Sequence, residues 1–197
     1  MRPSSSKYDP ACDNPAVNKL SYLPVGRHGW LKKPLGSLAY RDWLSNEGSL
    51  TRRLQLHCRD FSVRGVRLSS ARPQRDEAAL LQLKPRQHAL LREVQLSCDG
   101  VICVFAHSVI PHASLRGPWR GLGRLGNRPL GGALFADPRV KRTHLQFKPL
   151  HAHHPLFQRA SAHLAAPPSS LWARRSVFRL GRARLLVTEV FLPELLY

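Results

Sequence analysis

The stretch from Leu90 to Ile110, LLREVQLSCDGVICVFAHSVI, constrains this chain more than any other. Two runs of apolar and β-branched residues flank Asp99-Gly100, a dipeptide that tolerates the positive φ values of a type I′ turn. The segment therefore predicts a tight β-hairpin. Counting outward from the turn pairs Cys98 with Val101, Leu96 with Cys103, Val94 with Phe105, Arg92 with His107 and Leu90 with Val109. Side chains alternate between the faces of a strand, so these residues share one side of the sheet. That side is apolar except where Arg92 meets His107. Glu93, Gln95 and Ser97 fall on the other side, which is expected to face solvent. An arginine cannot shed its charge, and an unpartnered buried one is costly. Arg92 therefore calls for an anion, either an internal carboxylate or a ligand.

With 197 residues the chain can bury a substantial core in one domain. Residues 1–28 are rich in Pro, Ser and Asn without periodic hydrophobicity, and are expected to be a disordered leader before a single domain over 29–197. No run approaches the roughly 18 to 20 apolar residues of a membrane span, and no signal-peptide h-region follows Arg2. The expected setting is the cytoplasm. A formal net charge of +19 invites a nucleic-acid role. The basic residues are spread along the chain, however, without zinc-finger, helix-turn-helix or RNP patterns, and the same field would attract a small anionic substrate. Cys12, Cys58, Cys98 and Cys103 show no CxxC pairing. Cys98 and Cys103 are not directly opposite, so all four are expected to be small buried thiols in a reducing compartment.

Along the chain, LAYRDWL (residues 38–44) suits a short helix, and Ser49 is a good N-cap for a second helix, LTRRLQLHC. The first turn of such a helix presents backbone N–H groups without internal partners, which favour anions. FSVRGVRL (61–68) alternates like a strand, with Arg64, Gly65 and Arg67 indicating a bulge or an exposed edge. Asp76–Leu83 predicts a helical turn stopped before Pro85. Beyond the hairpin, the Gly-rich segment RGPWRGLGRLGNRPLGGALFADP lacks a Walker or dinucleotide fingerprint. It predicts a helix beginning around Leu130, with Pro129 in its first turn. His151, His153 and His154 have no Cys, Asp or HExxH partner nearby, so residues 144–170 are expected to be a long solvated loop rather than a metal site.

The chain closes with LWARRSVFRLGRARLLVTEVFLPELLY, a second hairpin turning near Gly181-Arg182. Leu185, Val187, Glu189 and Phe191 share one face, while Leu186, Thr188, Val190 and Leu192 share the other. Both faces are apolar, so this is expected to be a central strand. Glu189 then mirrors Arg92 as a lone charge in a hydrophobic stripe. The two could pair with each other, or stand at opposite ends of a site for a ligand that is an acid at one end and a hydroxyl donor at the other.

LREVQLSCDG, HSVIP, RPLG with the following LF, WLSNEGSLTRRL, and LWARRSVFRL with LLVTEVFLPELLY occur in an order and spacing that resemble bacterial chorismate pyruvate-lyases. The resemblance spans about Trp43 to Tyr197. It implies an α+β fold: a single antiparallel sheet of about six strands, helices over one face, and a buried ligand site under helix-turn flaps. It also implies conversion of chorismate to 4-hydroxybenzoate and pyruvate, the first step of ubiquinone biosynthesis, in the cytoplasm. No cofactor and no metal are implied, because aromatisation drives the reaction, and the expected protein is a monomer acting on a small molecule. By resemblance, Arg92 binds the ring carboxylate, the backbone amides of Leu50 and Leu130 assist it, and Glu189 faces the ring hydroxyl. Arg92 and Glu189 are thus the expected catalytic residues. His107, standing where other members carry arginine, completes the expected substrate-binding set. A non-catalytic protein that binds an aromatic acid or nucleic acid is the alternative.

Overall fold

A computed structural model describes residues 29–197; the expected leader over 1–28 lies outside them. Seven antiparallel strands form one sheet: β1 (Phe61–Ala71), β2 (Ala89–Cys98), β3 (Val101–Pro111), β4 (Lys141–Arg142), β5 (Gln146–His151), β6 (Ser170–Leu180) and β7 (Ala183–Phe191). Their spatial order is β1-β2-β3-β7-β6-β4, with β5 also pairing β6. The helices are α1 (Arg41–Ser45), α2 (Leu50–His57), α3 (Arg75–Leu81), α4 (His112–Leu115), α5 (Leu130–Ala136) and α6 (Pro155–Ser161). The antiparallel α+β architecture is the expected one, with one strand more than anticipated.

Local chemistry sets the elements. Ser49 caps α2 by accepting from the Arg52 N–H. Asp99 and Gly100 take φ values of 51° and 87° in the β2–β3 turn, as a type I′ turn requires. β1 is an edge strand and slips register between Arg64 and Arg67. β7 lies between β3 and β6, which explains its two apolar faces. Residues 144–170 are not a continuous loop. They contain β5 and α6, with Pro155 in the first turn of α6 and the His154 ring accepting from the Leu156 N–H. Pro155, directly after the histidines, starts a helix here.

The first hairpin is offset by one residue from the simple count. Cys98 does pair with Val101, and Ser97 with Ile102, but the register then shifts and Leu96 faces Val104. Cys103 is the extra residue, and its thiol bonds back to the Leu96 carbonyl at 3.3 Å. Beyond this bulge, Arg92 lies opposite Ser108 and Glu93 opposite His107. The expected Arg92–His107 pair does not form. The physical reason is that VICVFAHSVI is apolar at nearly every position, so alternation alone cannot select its register.

The slip determines what each face carries. Arg92, Val94 and Leu96 share a face with Ala106, Ser108, Val187, Glu189, Arg174 and Ser176. On this face one apolar cluster gathers around Trp43, Leu44, Leu54, Val104 and Phe191. A second gathers around Ile110, Trp119, Leu130, Leu134, Phe178 and Leu185. The opposite face is not solvated. It packs Phe105, Leu150, Leu156, Phe157 and Val190 together, and Val109 against Leu81 and Leu186.

That second face also contains His107, which is 1% exposed. Its ring stands 3.2 Å from Glu77 of α3 and 3.0 Å from Glu93, which in turn meets Arg159 of α6 at 2.8 Å. Burial disfavours the charged imidazole. Hydrogen bonds to the two carboxylates, and their charge, outweigh it and push the pKa up to about 9. His107 is therefore a buried cation that ties α3 to the sheet.

A second departure concerns the cysteines. Cys58, just after α2, and Cys98, at the end of β2, form a disulfide across a Cα separation of 5.3 Å, while Cys103 is a free buried thiol. The expectation of uniformly free thiols overlooked that β1 folds back along β2. This places the end of α2 beside the hairpin turn.

Candidate functional site

Between the two apolar clusters of the first face lies a cavity enclosing about 590 Å³ of space free of protein, solvent at its mouth included. Its floor is the sheet and its walls are the starts of α2 and α5. Among its lining residues are Leu50, Arg92, Leu130 and Glu189, four of the five positions singled out in the sequence. His107 is the exception: it lies behind the sheet, bound to Glu77 and Glu93. Ser108 takes the place beside Arg92.

The two helix starts approach one another closely. Ser49 caps α2 and Pro129 precedes α5, so Leu50 and Leu130 are the first helical residues of each. Gly131 makes the approach possible. A Cβ there would stand 2.8 Å from Thr51 Oγ1 and 3.1 Å from Ser49 Oγ. First-turn amides lack intrahelical acceptors, and both first turns line the cavity through Leu50, Thr51, Leu130 and Gly131.

Arg92 is 2% exposed. One of its terminal nitrogens donates to the carbonyls of Gly126 and Arg128, both at 3.1 Å. These bonds fix the guanidinium plane against the loop that leads into α5. Among the described residues no carboxylate forms an ion pair with it. Burial without a compensating charge pulls its pKa below the ordinary arginine value. The result is a held cation facing a cavity.

Glu189 does not pair with Arg92. It sits in the strand pair β6–β7 directly opposite Arg174, whose Nε donates to Glu189 Oε2 at 2.5 Å. Arg174 is fully buried, and its NH1 also donates to the carbonyls of Trp43, Leu44 and Asn46. One side chain thus ties the carboxylate to the segment that leads into α2. The sequence reading missed this arginine. Counting outward from Gly181-Arg182 would have found it, because Leu180 pairs with Ala183 and Arg174 then falls opposite Glu189.

The cavity therefore presents a buried cation on β2 and an anchored carboxylate on β7, with β3 between them, two helix starts in its wall and apolar side chains around them. Val63, Val94, Leu96, Leu134, Phe178 and Val187 supply that apolar wall. Such a site would orient a flat, partly apolar acid with a hydroxyl opposite its carboxylate.

Comparison with known proteins agrees with the geometry. The family model described as "Chorismate lyase" matches residues 30–197. A protein of Methylobacillus flagellatus named "Probable chorismate pyruvate-lyase" is 55% identical over 170 residues, covering 86% of this chain and 96% of its own. A protein of Nitrosomonas eutropha with the same name is 50% identical over 155 residues, covering 79% of this chain and 87% of its own. Among solved structures, the effector domain of PhnF from Mycobacterium smegmatis superposes with a TM-score of 0.54, at 18% identity, over 82% of this chain and 93% of that one. At that identity the likeness concerns the fold. On the family match and the two close relatives, this chain belongs to the chorismate lyase family.

Proposed function

We infer that this chain is a chorismate pyruvate-lyase, a carbon–oxygen lyase that converts chorismate to 4-hydroxybenzoate and pyruvate for ubiquinone biosynthesis. The observation that carries this reading is that the buried Arg92, without an ion pair among the described residues, shares one cavity with the anchored carboxylate of Glu189. Arg92 receives the ring carboxylate, with the first-turn amides of Leu50 and Leu130 on the same anion. Glu189, held by Arg174, accepts a hydrogen bond from the ring hydroxyl.

In this reaction the ether C–O bond at ring C3 breaks and its electron pair leaves with the pyruvate oxygen. The C4–H bond supplies the pair that completes the aromatic ring, and the proton ends on the methylene carbon that becomes the pyruvate methyl group. The protein's contribution is to hold a dianion in one orientation inside a largely apolar cavity, where fixed donors act strongly.

Incubating the purified protein with chorismate tests the reading directly. The expected outcome is equimolar 4-hydroxybenzoate, followed by absorbance, and pyruvate, followed by coupled reduction. Tight retention on nucleic acid at physiological salt with no turnover would instead favour a binding role for the +19 charge.

A further inference from the structure

Resting on the reading of this site as a chorismate lyase, we propose that Arg142 holds the second carboxylate of the substrate, the one carried by the enolpyruvyl group. Three independent features of the cavity lead to it.

The first is charge. Three charged residues line the cavity: Arg92, Arg142 and Glu189. Glu189 is already paired with Arg174, its neighbour on the same face. Arg142, like Arg92, has no ion-pair partner among the described residues. The cavity thus presents two guanidinium groups to its contents, the complement of a diacid rather than of a simple hydroxybenzoic acid.

The second is position. A row of neighbours crosses the sheet from Arg92 through Ser108 and Val187 to Ser176. At strand spacings of about 4.8 Å, the row's ends lie roughly 14 Å apart. Arg92 stands at one end. Arg142 stands at the other, with its Nε donating to Ser176 Oγ at 2.7 Å. Glu189 lies two residues along β7 from Val187, and its charge reaches Arg142. In chorismate the enolpyruvyl ether at C3 neighbours the C4 hydroxyl and lies away from the C1 carboxylate. With C1 at Arg92 and the C4 hydroxyl at Glu189, the enolpyruvyl group falls on the Arg142 side.

The third is preorganisation. Arg142 NH1 donates to the Glu47 carbonyl at 2.7 Å. The guanidinium carbon lies 5.3 Å from the Phe178 ring centroid and 5.7 Å from that of Phe135. The head group is fixed in place by neutral hydrogen-bond and ring partners, and no carboxylate among the described residues forms an ion pair with it.

The reaction itself separates this role from a structural one, because the substrate has the second carboxylate and the product 4-hydroxybenzoate lacks it. Chorismate turnover and equilibrium binding of 4-hydroxybenzoate are measured for the wild type, Arg142→Gln and Arg142→Lys. The expected result is a loss of about 30-fold or more in kcat/KM for chorismate in Arg142→Gln, with 4-hydroxybenzoate affinity within about threefold of wild type, and partial recovery of kcat/KM in Arg142→Lys. Equal losses for both ligands, or no loss for either, would overturn the proposal. Should Arg142→Gln not fold, Arg142→Lys alone decides by the same comparison. If the wild type shows no turnover, the lyase reading fails on its own, and chorismate affinity measured beside 4-hydroxybenzoate affinity still decides whether Arg142 selects the diacid.

Discussion

At the scale of single residues, burial separates side chains that hold the fold from side chains that await a ligand. Arg174 and Arg92 are both buried arginines on one face of the sheet, yet their surroundings differ. Arg174 donates to Glu189 and to three carbonyls, so its charge is spent within the protein. Removing one member of a buried ion pair typically costs about 3–5 kcal/mol. Arg174→Ala is therefore expected to lower unfolding free energy by about that amount in urea titrations, and to release the segment before α2. Among the described residues Arg92 has two carbonyl partners and no ion pair, so its charge is not spent within the protein. Its substitution should therefore weigh on ligand binding far more than on folding.

At the scale of elements, the β2–β3 hairpin shows what sequence pattern can and cannot specify. The turn was legible because Asp99-Gly100 has one common use, and the inward face of β7 was legible because Glu189 is a lone charge in an alternating stripe. Cys103 was not. In a run that is apolar on both faces, a one-residue bulge leaves no trace in the pattern, although it moves His107 to the far side of the sheet. Arg142 was hidden for another reason, since a two-residue strand such as β4 has no periodicity to read.

The displaced His107 has a consequence for pH. Its folded pKa, near 9, lies above the unfolded value of 6.5. Its contribution to stability is fully present below pH 6.5 and is lost as the pH rises through 9, amounting to roughly 2–3 kcal/mol over that window. Thermal midpoints of the wild type should fall between pH 6.5 and 9.5 more than those of His107→Gln. Parallel curves for the two would show that His107 is not charged in the fold.

The meeting of α2 and α5 yields another test at this scale. A Cβ at Gly131 would stand 2.8 Å from Thr51 Oγ1 and 3.1 Å from Ser49 Oγ, so Gly131→Ala is expected to push the two helix starts apart, at about 1–3 kcal/mol of overpacking. Its 4-hydroxybenzoate affinity should weaken by about tenfold or more, as read by calorimetry, because the amides of Leu50 and Leu130 would no longer converge.

For the whole molecule, one sheet separates two different environments. On the second face the buried charges pair within the protein: His107 with Glu77 and Glu93, and Arg175 with Asp76, which also accepts from the Trp30 indole. The first face holds two apolar clusters with a cavity between them, lined by Arg92 and Arg142, neither of which has an ion pair among the described residues. The most direct test of this division is the kinetics of Arg92→Ala with chorismate, measured beside its unfolding free energy. The expected result is a fall in kcat/KM of about 10²-fold or more with stability retained within about 1 kcal/mol. Wild-type turnover by this variant would contradict it.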